Sequence, residues 1–145
     1  MKPTFTNASI QNKVIAELLT LRFGSIEFYD VAGHYFCRRL RVIRNCGLFF
    51  IIFGALSLAL VIVLWGNWAL NIVNFAGSCA FALLGRTLYL IGKYEIQMIK
   101  TARKSDTKHQ MNTLHFMAAK SKPFRGDPVG GLILHRFNSV PETSN

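Results

Sequence analysis

Residues 64–68 read LWGNW and lie inside a long apolar stretch. Residues 46–85, forty positions, contain no Asp, Glu, Lys, Arg or His. As a single helix at ~1.5 Å per residue, this stretch would extend about 60 Å. The hydrocarbon core of a bilayer is about 30 Å thick and is crossed by ~20 residues. The stretch is therefore too long for one membrane span and long enough for two.

The middle of this stretch has the composition of a turn. Gly66 and Asn67 both tolerate the left-handed backbone conformation that tight turns use. Trp65 and Trp68 flank them, and tryptophan concentrates at the membrane–water boundary. The sequence thus predicts that the chain reverses direction here, outside the hydrocarbon.

The predicted fold class is an all-α membrane protein, a two-span transmembrane helical hairpin with amphipathic cytoplasmic helices and a partly flexible C-terminal tail. The 145 residues allow one domain at most. A soluble protein would need a large cover for two such helices, but the rest of the chain is polar and basic. We assign residues 1–45 to cytoplasmic amphipathic and interfacial helices, 46–92 to the hairpin (spans 46–65 and 68–91, turn 66–67) and 93–145 to a basic cytoplasmic helix and tail.

The distribution of basic residues predicts the orientation of the hairpin. The chain has 17 Lys and Arg against 7 Asp and Glu, a formal net charge of +10. Lys and Arg lie outside both ends of the hairpin and are missing from its turn, so the positive-inside rule predicts that both termini are cytoplasmic. No cleavable signal peptide is visible. The cations expected to contact anionic lipid headgroups are Arg38, Arg39, Arg41, Arg44, Arg86 and Lys93.

Residues 25–45 combine aromatic side chains with arginines directly before the first predicted span. Phe36, Leu40 and Ile43 follow one helical stripe, and most of the arginines lie off it. This pattern is typical of an interfacial helix, so we expect Phe28, Tyr29, Tyr35 and Phe36 to be buried beside acyl chains. The same mixture occurs in nucleic-acid-binding proteins, but its position next to a span favours lipid.

Small and polar residues follow one face of the second predicted span. Amide side chains are costly in hydrocarbon unless they are paired, and small residues allow helices to approach closely. We expect this face to pack on the first span or on another copy of the chain; a water path is a further alternative. The residues of the predicted helix-packing or oligomer face are Gly54, Ser57, Asn71, Asn74, Gly77 and Ser78.

The C-terminal third begins as a continuation of the second helix into the cytoplasm. Residues 109–120 have the pattern of a second helix, and residues 121–131, SKPFRGDPVGG, predict a break. The apolar hexamer LILHRF at 132–137 is expected to be a strand or a docking peptide. The candidate partner-recognition residues are His109, His115, Phe124, Leu132, Leu134 and Phe137.

Residue patterns that would indicate an enzyme are missing from the sequence. His34 and Cys37 form the one close pair of metal-ligand type, which is too few ligands for a zinc site. The chain has no phosphate-binding glycine loop, no serine nucleophile elbow and no carboxylate pair in an acid–base setting. We therefore predict a non-enzymatic protein without catalytic residues, cofactor or metal, and expect no disulfides among its three cysteines.

Three functional classes fit a membrane hairpin of this kind. They are an interaction protein that recognises or blocks another membrane complex, a small oligomeric pore or holin-like protein, and a membrane-tethered nucleic-acid binder. A pore would need a polar stripe through both spans, but only the outer half of the second span has one. Nucleic acid is disfavoured because most basic residues lie beside the membrane. The interaction protein is the favoured class, with anionic lipid, another membrane protein and a homo-oligomer as expected partners.

The layout of the whole chain resembles that of small inner-membrane entry exclusion (surface exclusion) proteins of bacterial conjugative elements. These are chains of similar size with hydrophobic segments and a cytoplasmic C-terminal region. The resemblance involves no sequence motif, so no functional residue is carried over. It implies a multi-pass protein of the bacterial inner membrane that meets a component of the donor's conjugative transfer apparatus. A colicin-type immunity protein or a secretion-apparatus subunit would share this layout. For exclusion, we expect the recognition surface in the tail at 109–137, and then in the turn at 65–68.

Overall fold

A computed structural model describes residues 7–63 and 66–140. Within these ranges the chain is all-helical, 88% of it in helices and none in strands, which confirms the predicted all-α class. The five α-helices and one short 3-10 helix are α1 (Asn7–Thr20), α2 (Ile26–Val63), α3 (Trp68–Ala102), α4 (Thr107–Lys120), the 3-10 helix Lys122–Phe124 and α5 (Pro128–Ser139).

The two long helices are separated at the LWGNW sequence. Helix α2 ends at Val63 and α3 begins at Trp68. Asn67 caps α3, because its side-chain oxygen accepts a hydrogen bond from the Ala69 N–H at 3.2 Å. Leu64 and Trp65 lie outside the described residues, and the predicted boundary position of Trp65 lies outside them too.

Helices α2 and α3 are each long and apolar enough to cross a membrane. Both extend beyond the predicted spans. Helix α2 already begins at Ile26, so the segment expected to be a separate interfacial helix is continuous with the first predicted span. Helix α3 continues to Ala102, in agreement with the expected continuation beyond the second span.

The chain divides into two compact units, and the boundaries between them fall inside α2 and α3. Unit 1 contains residues 1–38 and 97–145, and unit 2 contains residues 39–96. Unit 1 is therefore assembled from both ends of the sequence. Unit 2 is one continuous segment.

The aromatic residues at the start of α2 belong to the protein core of unit 1. Phe28, Tyr29, Tyr35 and Phe36 are all buried. The ring of Phe36 packs on that of Phe124, with 4.5 Å between centroids. The expectation that these rings lie beside acyl chains was wrong, because the C-terminal helices supply an apolar protein surface. Further core residues of unit 1 are Leu18, Ile99, Met111, Leu114, Met117, Val129 and Ile133.

The C-terminal segment of unit 1 is more regular than its Pro and Gly residues indicated. Residues 132–137 lie in α5, so the strand alternative was wrong. Asp127 caps α5 by accepting a hydrogen bond from the Gly130 N–H at 3.3 Å. Pro128 occupies the first helical position. A backbone N–H there would have no hydrogen-bond partner within the helix, so proline, which has none, is tolerated. The tail predicted to be partly flexible is helical over most of 107–139, and residues 141–145 lie outside the described residues.

Candidate functional site

Glycines bring the two helical segments of unit 2 into backbone contact. A Cβ atom added to Gly85 would lie 2.6 Å from the Gly47 carbonyl oxygen and 2.8 Å from the Ile51 nitrogen. A Cβ added to Gly54 would lie 2.8 Å from the Ser78 carbonyl oxygen. Separations this short leave no room for any side chain. We call the contact formed by Gly47, Gly54, Gly85 and Gly92 the glycine seam.

The seam follows a seven-residue repeat in both segments. Leu40, Gly47, Gly54 and Val61 are spaced by seven and are all buried, as are Ser78, Gly85 and Gly92. A period of seven residues keeps one face of a helix directed at a partner that coils around it. The repeat is visible in the sequence. The predicted packing set nevertheless omitted Gly47, Gly85 and Gly92, because it followed the polar residues instead.

The residues predicted for a packing or oligomer face do not all lie at the contact between the helices. Gly54 belongs to the glycine seam, and a Cβ atom added to it would meet the Ser78 carbonyl oxygen. The Ser78 hydroxyl donates to the Asn74 carbonyl oxygen at 2.7 Å, so it is satisfied within α3. Asn74 is exposed, and a Cβ atom added to Gly77 would meet nothing within 4 Å. Ser57 and Asn71 are half-buried.

Two grooves of similar size lie within unit 2 beyond the seam. One has a volume of about 480 Å³ and the other about 460 Å³, and Val61 and Asn71 line both. Neither groove is lined by a glycine of the seam. We call the first the amide groove, lined by Phe53, Ser57, Leu60, Val61, Asn71, Val73, Asn74, Gly77, Ser78 and Phe81. The second, the apolar groove, is lined by Leu58, Val61, Ile62, Trp68, Asn71, Ile72 and Phe75.

The cations predicted to contact headgroups differ in exposure. Those of unit 2 include Arg44, whose Cβ atom would lie 2.8 Å from a Cβ atom added to Gly92. The missing side chain at Gly92 therefore makes room for the Arg44 stem. Arg39 is half-buried like Arg44. The exposed members of the set are Arg38, Arg41, Arg86 and Lys93.

A buried polar cluster joins three helices of unit 1. The Tyr35 hydroxyl donates to Asp127 Oδ1 at 2.8 Å, and Gln11 Nε2 donates to the same oxygen at 3.0 Å. Asp127 is buried, and its other oxygen caps α5. A buried carboxylate is stable only when hydrogen bonds replace its lost water. The cluster fixes α1 and α2 relative to the first turn of α5, and these residues were not predicted as a group from the sequence.

Tyr29 forms a second buried connection in unit 1. Its hydroxyl donates to the Ile99 carbonyl oxygen at 2.6 Å and so ties α2 to α3. Burial raises the pKa of Tyr29 from 10.0 to about 12, with a further increase from the charges of Cys37 and Asp30 and an opposing effect of Arg103.

We predict that this raised pKa makes stability fall at high pH. The folded state favours the neutral phenol, so the Tyr29 contribution is complete below pH 10.0 and is lost as the pH rises to about 12. Absorbance titration in detergent micelles should show a tyrosine ionisation near pH 12 in the wild type that is missing from Tyr29→Phe. The variant should also lose less stability over this pH range. An unchanged high-pH ionisation in Tyr29→Phe would contradict the assignment.

The predicted partner-recognition residues are not equally accessible in unit 1. Phe124 is 1% exposed and cannot contact a partner, so its assignment was wrong. Phe137 stacks edge-on against Phe23 at 4.9 Å between centroids and against His115 at the same distance. Leu132 and Leu134 are half-buried, and His109 and His115 are exposed. The accessible part of the set therefore lies mainly on α4.

Helix α4 presents a mixed polar and aromatic face. His109, Asn112 and Phe116 are exposed and spaced by three and four residues, so they lie on one side of the helix. The opposite side, which includes Leu114 and Met117, is buried in the core. Aromatic residues such as phenylalanine are enriched at protein–protein interfaces. We call His109, Asn112 and Phe116 the α4 face.

Comparison with protein-family models, curated proteins and solved structures finds no match. In the part of the chain that the structure describes, no three His, Cys, Asp or Glu side chains are grouped to hold a metal ion. Cys37, Cys46 and Cys79 form no disulfide.

Proposed function

We propose that this chain is a non-enzymatic inner-membrane interaction protein, anchored by unit 2 as a two-span transmembrane hairpin. The observation that supports it is the exposure of the apolar side chains of α2 and α3. In the most apolar 18 residues of these helices, only 17% and 11% of positions are buried. Core helices of soluble proteins are mostly buried, whereas a helix that faces lipid exposes its apolar residues. Outward-facing residues include Ile52, Leu56, Leu60, Ile72, Val73 and Leu83.

The charge distribution supports a topology with both termini in the cytoplasm. Unit 2 carries Arg39, Arg41 and Arg44 near its first end and Lys93 near its last. Gly66 and Asn67, between the helices, are uncharged. Lys and Arg resist translocation, so the cationic end of unit 2 belongs at the cytoplasmic leaflet and attracts anionic headgroups.

We propose that unit 1 recognises another membrane protein. Unit 1 has a buried aromatic core and a buried polar cluster, so its surface is held in a defined geometry. The α4 face is the accessible surface that suits a protein partner best. Within this class we propose surface exclusion, in which a component of a conjugative transfer apparatus is recognised and redundant transfer is blocked. The layout of the chain supports this choice.

We predict that recipient cells that make this chain receive a matching conjugative element less often than cells without it. Transfer frequency into the two recipients is the measurement. The double variant His109→Ala, Phe116→Ala should remove the block, because both side chains belong to the α4 face. Both are exposed, so their loss should leave the fold intact. Leu19→Ala, another exposed apolar residue of unit 1, is the matched control and should leave the block intact.

The outcomes of this assay separate the proposed classes. Unchanged transfer, with the chain present in the membrane fraction, would contradict exclusion. Leakage of a small dye on expression would favour a pore instead. A block that survives the double variant would keep exclusion and remove the α4 face as its recognition surface.

A further inference from the structure

We infer that unit 2 pairs with a second copy of this chain through the amide groove. The inference rests on the proposed membrane placement of unit 2 and goes beyond it by naming the surface and its occupant. The residues that carry it are Phe53, Asn71, Asn74, Gly77 and Phe81.

The two grooves of unit 2 allow an internal comparison. They have nearly the same volume, about 480 and 460 Å³. Apart from Asn71, which lines both, the apolar groove has only hydrocarbon and aromatic side chains, a surface that acyl chains cover without loss. The amide groove adds Asn74, Ser57 and the bare backbone at Gly77. Lipid is therefore a suitable occupant for one groove and a poor one for the other.

The amides in the groove need hydrogen-bond partners that hydrocarbon does not supply. Within the described residues, neither the Asn71 nor the Asn74 side chain makes a hydrogen bond, although the Asn74 backbone oxygen accepts one from Ser78. An amide left unpaired in hydrocarbon is costly. Polar side chains of this kind associate transmembrane helices by bonding across them.

A second copy satisfies these amides because an amide is both donor and acceptor. Across a two-fold axis, each Asn74 donates to its equivalent and accepts from it, so one surface is complementary to itself. Gly77 adds the space for close approach, since a Cβ atom there would meet nothing within 4 Å. Phe53 and Phe81 stack edge-on at 5.5 Å and are both exposed, and they form an aromatic wall for the contact.

Cysteine cross-linking in membrane vesicles tests the pairing with the full chain. The first variant carries Gly77→Cys with Cys37, Cys46 and Cys79 replaced by serine. The matched control keeps the native Cys79 as its only cysteine. Residues two apart on a helix are separated by about 200° around its axis, so positions 77 and 79 have a similar depth and opposite directions.

Mild oxidation should give a covalent dimer at position 77 and little at position 79. If a side chain at 77 pushes the copies apart, Val73→Cys, one turn earlier in the same groove, should cross-link in its place. Adding Asn74→Ala should reduce the cross-link several-fold, whereas Ile72→Ala in the apolar groove should not. Equal cross-linking at 77 and 79, or none at 73 and 77, would overturn the pairing.

Extraction of the same vesicles tests the proposed anchor separately. A chain that alkaline carbonate releases without detergent would contradict the membrane hairpin itself. A chain that stays embedded and gives no position-specific cross-link would contradict only the pairing.

Discussion

Replacing Gly85 with alanine should destabilise unit 2 by about 1–3 kcal/mol, the usual range for overpacking of a tight contact. The added methyl group would lie 2.6 Å from the Gly47 carbonyl oxygen and 2.9 Å from the Phe50 Cβ atom. Backbone atoms cannot turn aside as a flexible side chain does, so the helices must separate. Unfolding of the purified chain in mixed micelles, by titration with a denaturing detergent, measures the effect.

Gly77→Ala is the matched control, since it makes the same change in the same helix; both variants are measured at a low protein-to-detergent ratio, at which copies of the chain are separated and only the contacts within one copy count. Nothing lies within 4 Å of the added atom at Gly77. The variant should match the wild type or be more stable, because alanine is favoured over glycine in a helix by up to ~1 kcal/mol. Equal losses at the two positions would mean that the destabilisation comes from helix chemistry and not from the seam.

Phe36→Ala should destabilise unit 1 by about 3–5 kcal/mol, as is typical for removal of a buried aromatic ring. Phe36 is fully buried and packs on Phe124 at 4.5 Å between centroids. Loss of the ring leaves a cavity that the surrounding helices cannot fill. The loss is measured by unfolding the micelle-bound chain with urea, with the protease resistance of the C-terminal helices as the signal.

Phe49→Ala provides the comparison for Phe36. Phe49 lies in α2 like Phe36 but is 64% exposed in unit 2. Its removal should change stability by no more than about 0.5 kcal/mol, as for other surface positions. A loss at Phe36 as small as the loss at Phe49 would restore the original expectation that the rings of residues 25–45 lie in lipid.

The positions of the helices were largely readable from the sequence. The length of the uncharged stretch and the turn residues Gly66 and Asn67 required two apolar helices with a break between them. The environment of Phe36 was not readable, because an apolar stripe on a helix looks the same whether lipid or protein covers it. Only the folded C-terminal segment decides which one does.

The start of α5 was also not predicted from the sequence. Pro128 and the nearby glycines were interpreted as helix breakers. The preceding Asp127 converts the same proline into the first residue of a helix, because a capping carboxylate and a proline at the first position are both favoured there. The glycine seam was missed for a different reason. Its seven-residue period is present in the sequence, but the predicted packing face followed small and polar residues, including Asn74 and Gly77, which lie outside the seam.

The assembly of unit 1 from both ends of the chain has a consequence for the order of events during synthesis. All of unit 2, residues 39–96, is synthesised before the C-terminal part of unit 1. Asp127, the partner of Gln11 in α1, is among the last residues made. The aromatic side chains in the first turns of α2 therefore stay exposed until α4 and α5 have been synthesised. A chain that ended before Phe124 would lack both Phe124, on which Phe36 packs, and Asp127, which accepts the Tyr35 hydrogen bond, so these side chains of α2 would stay exposed.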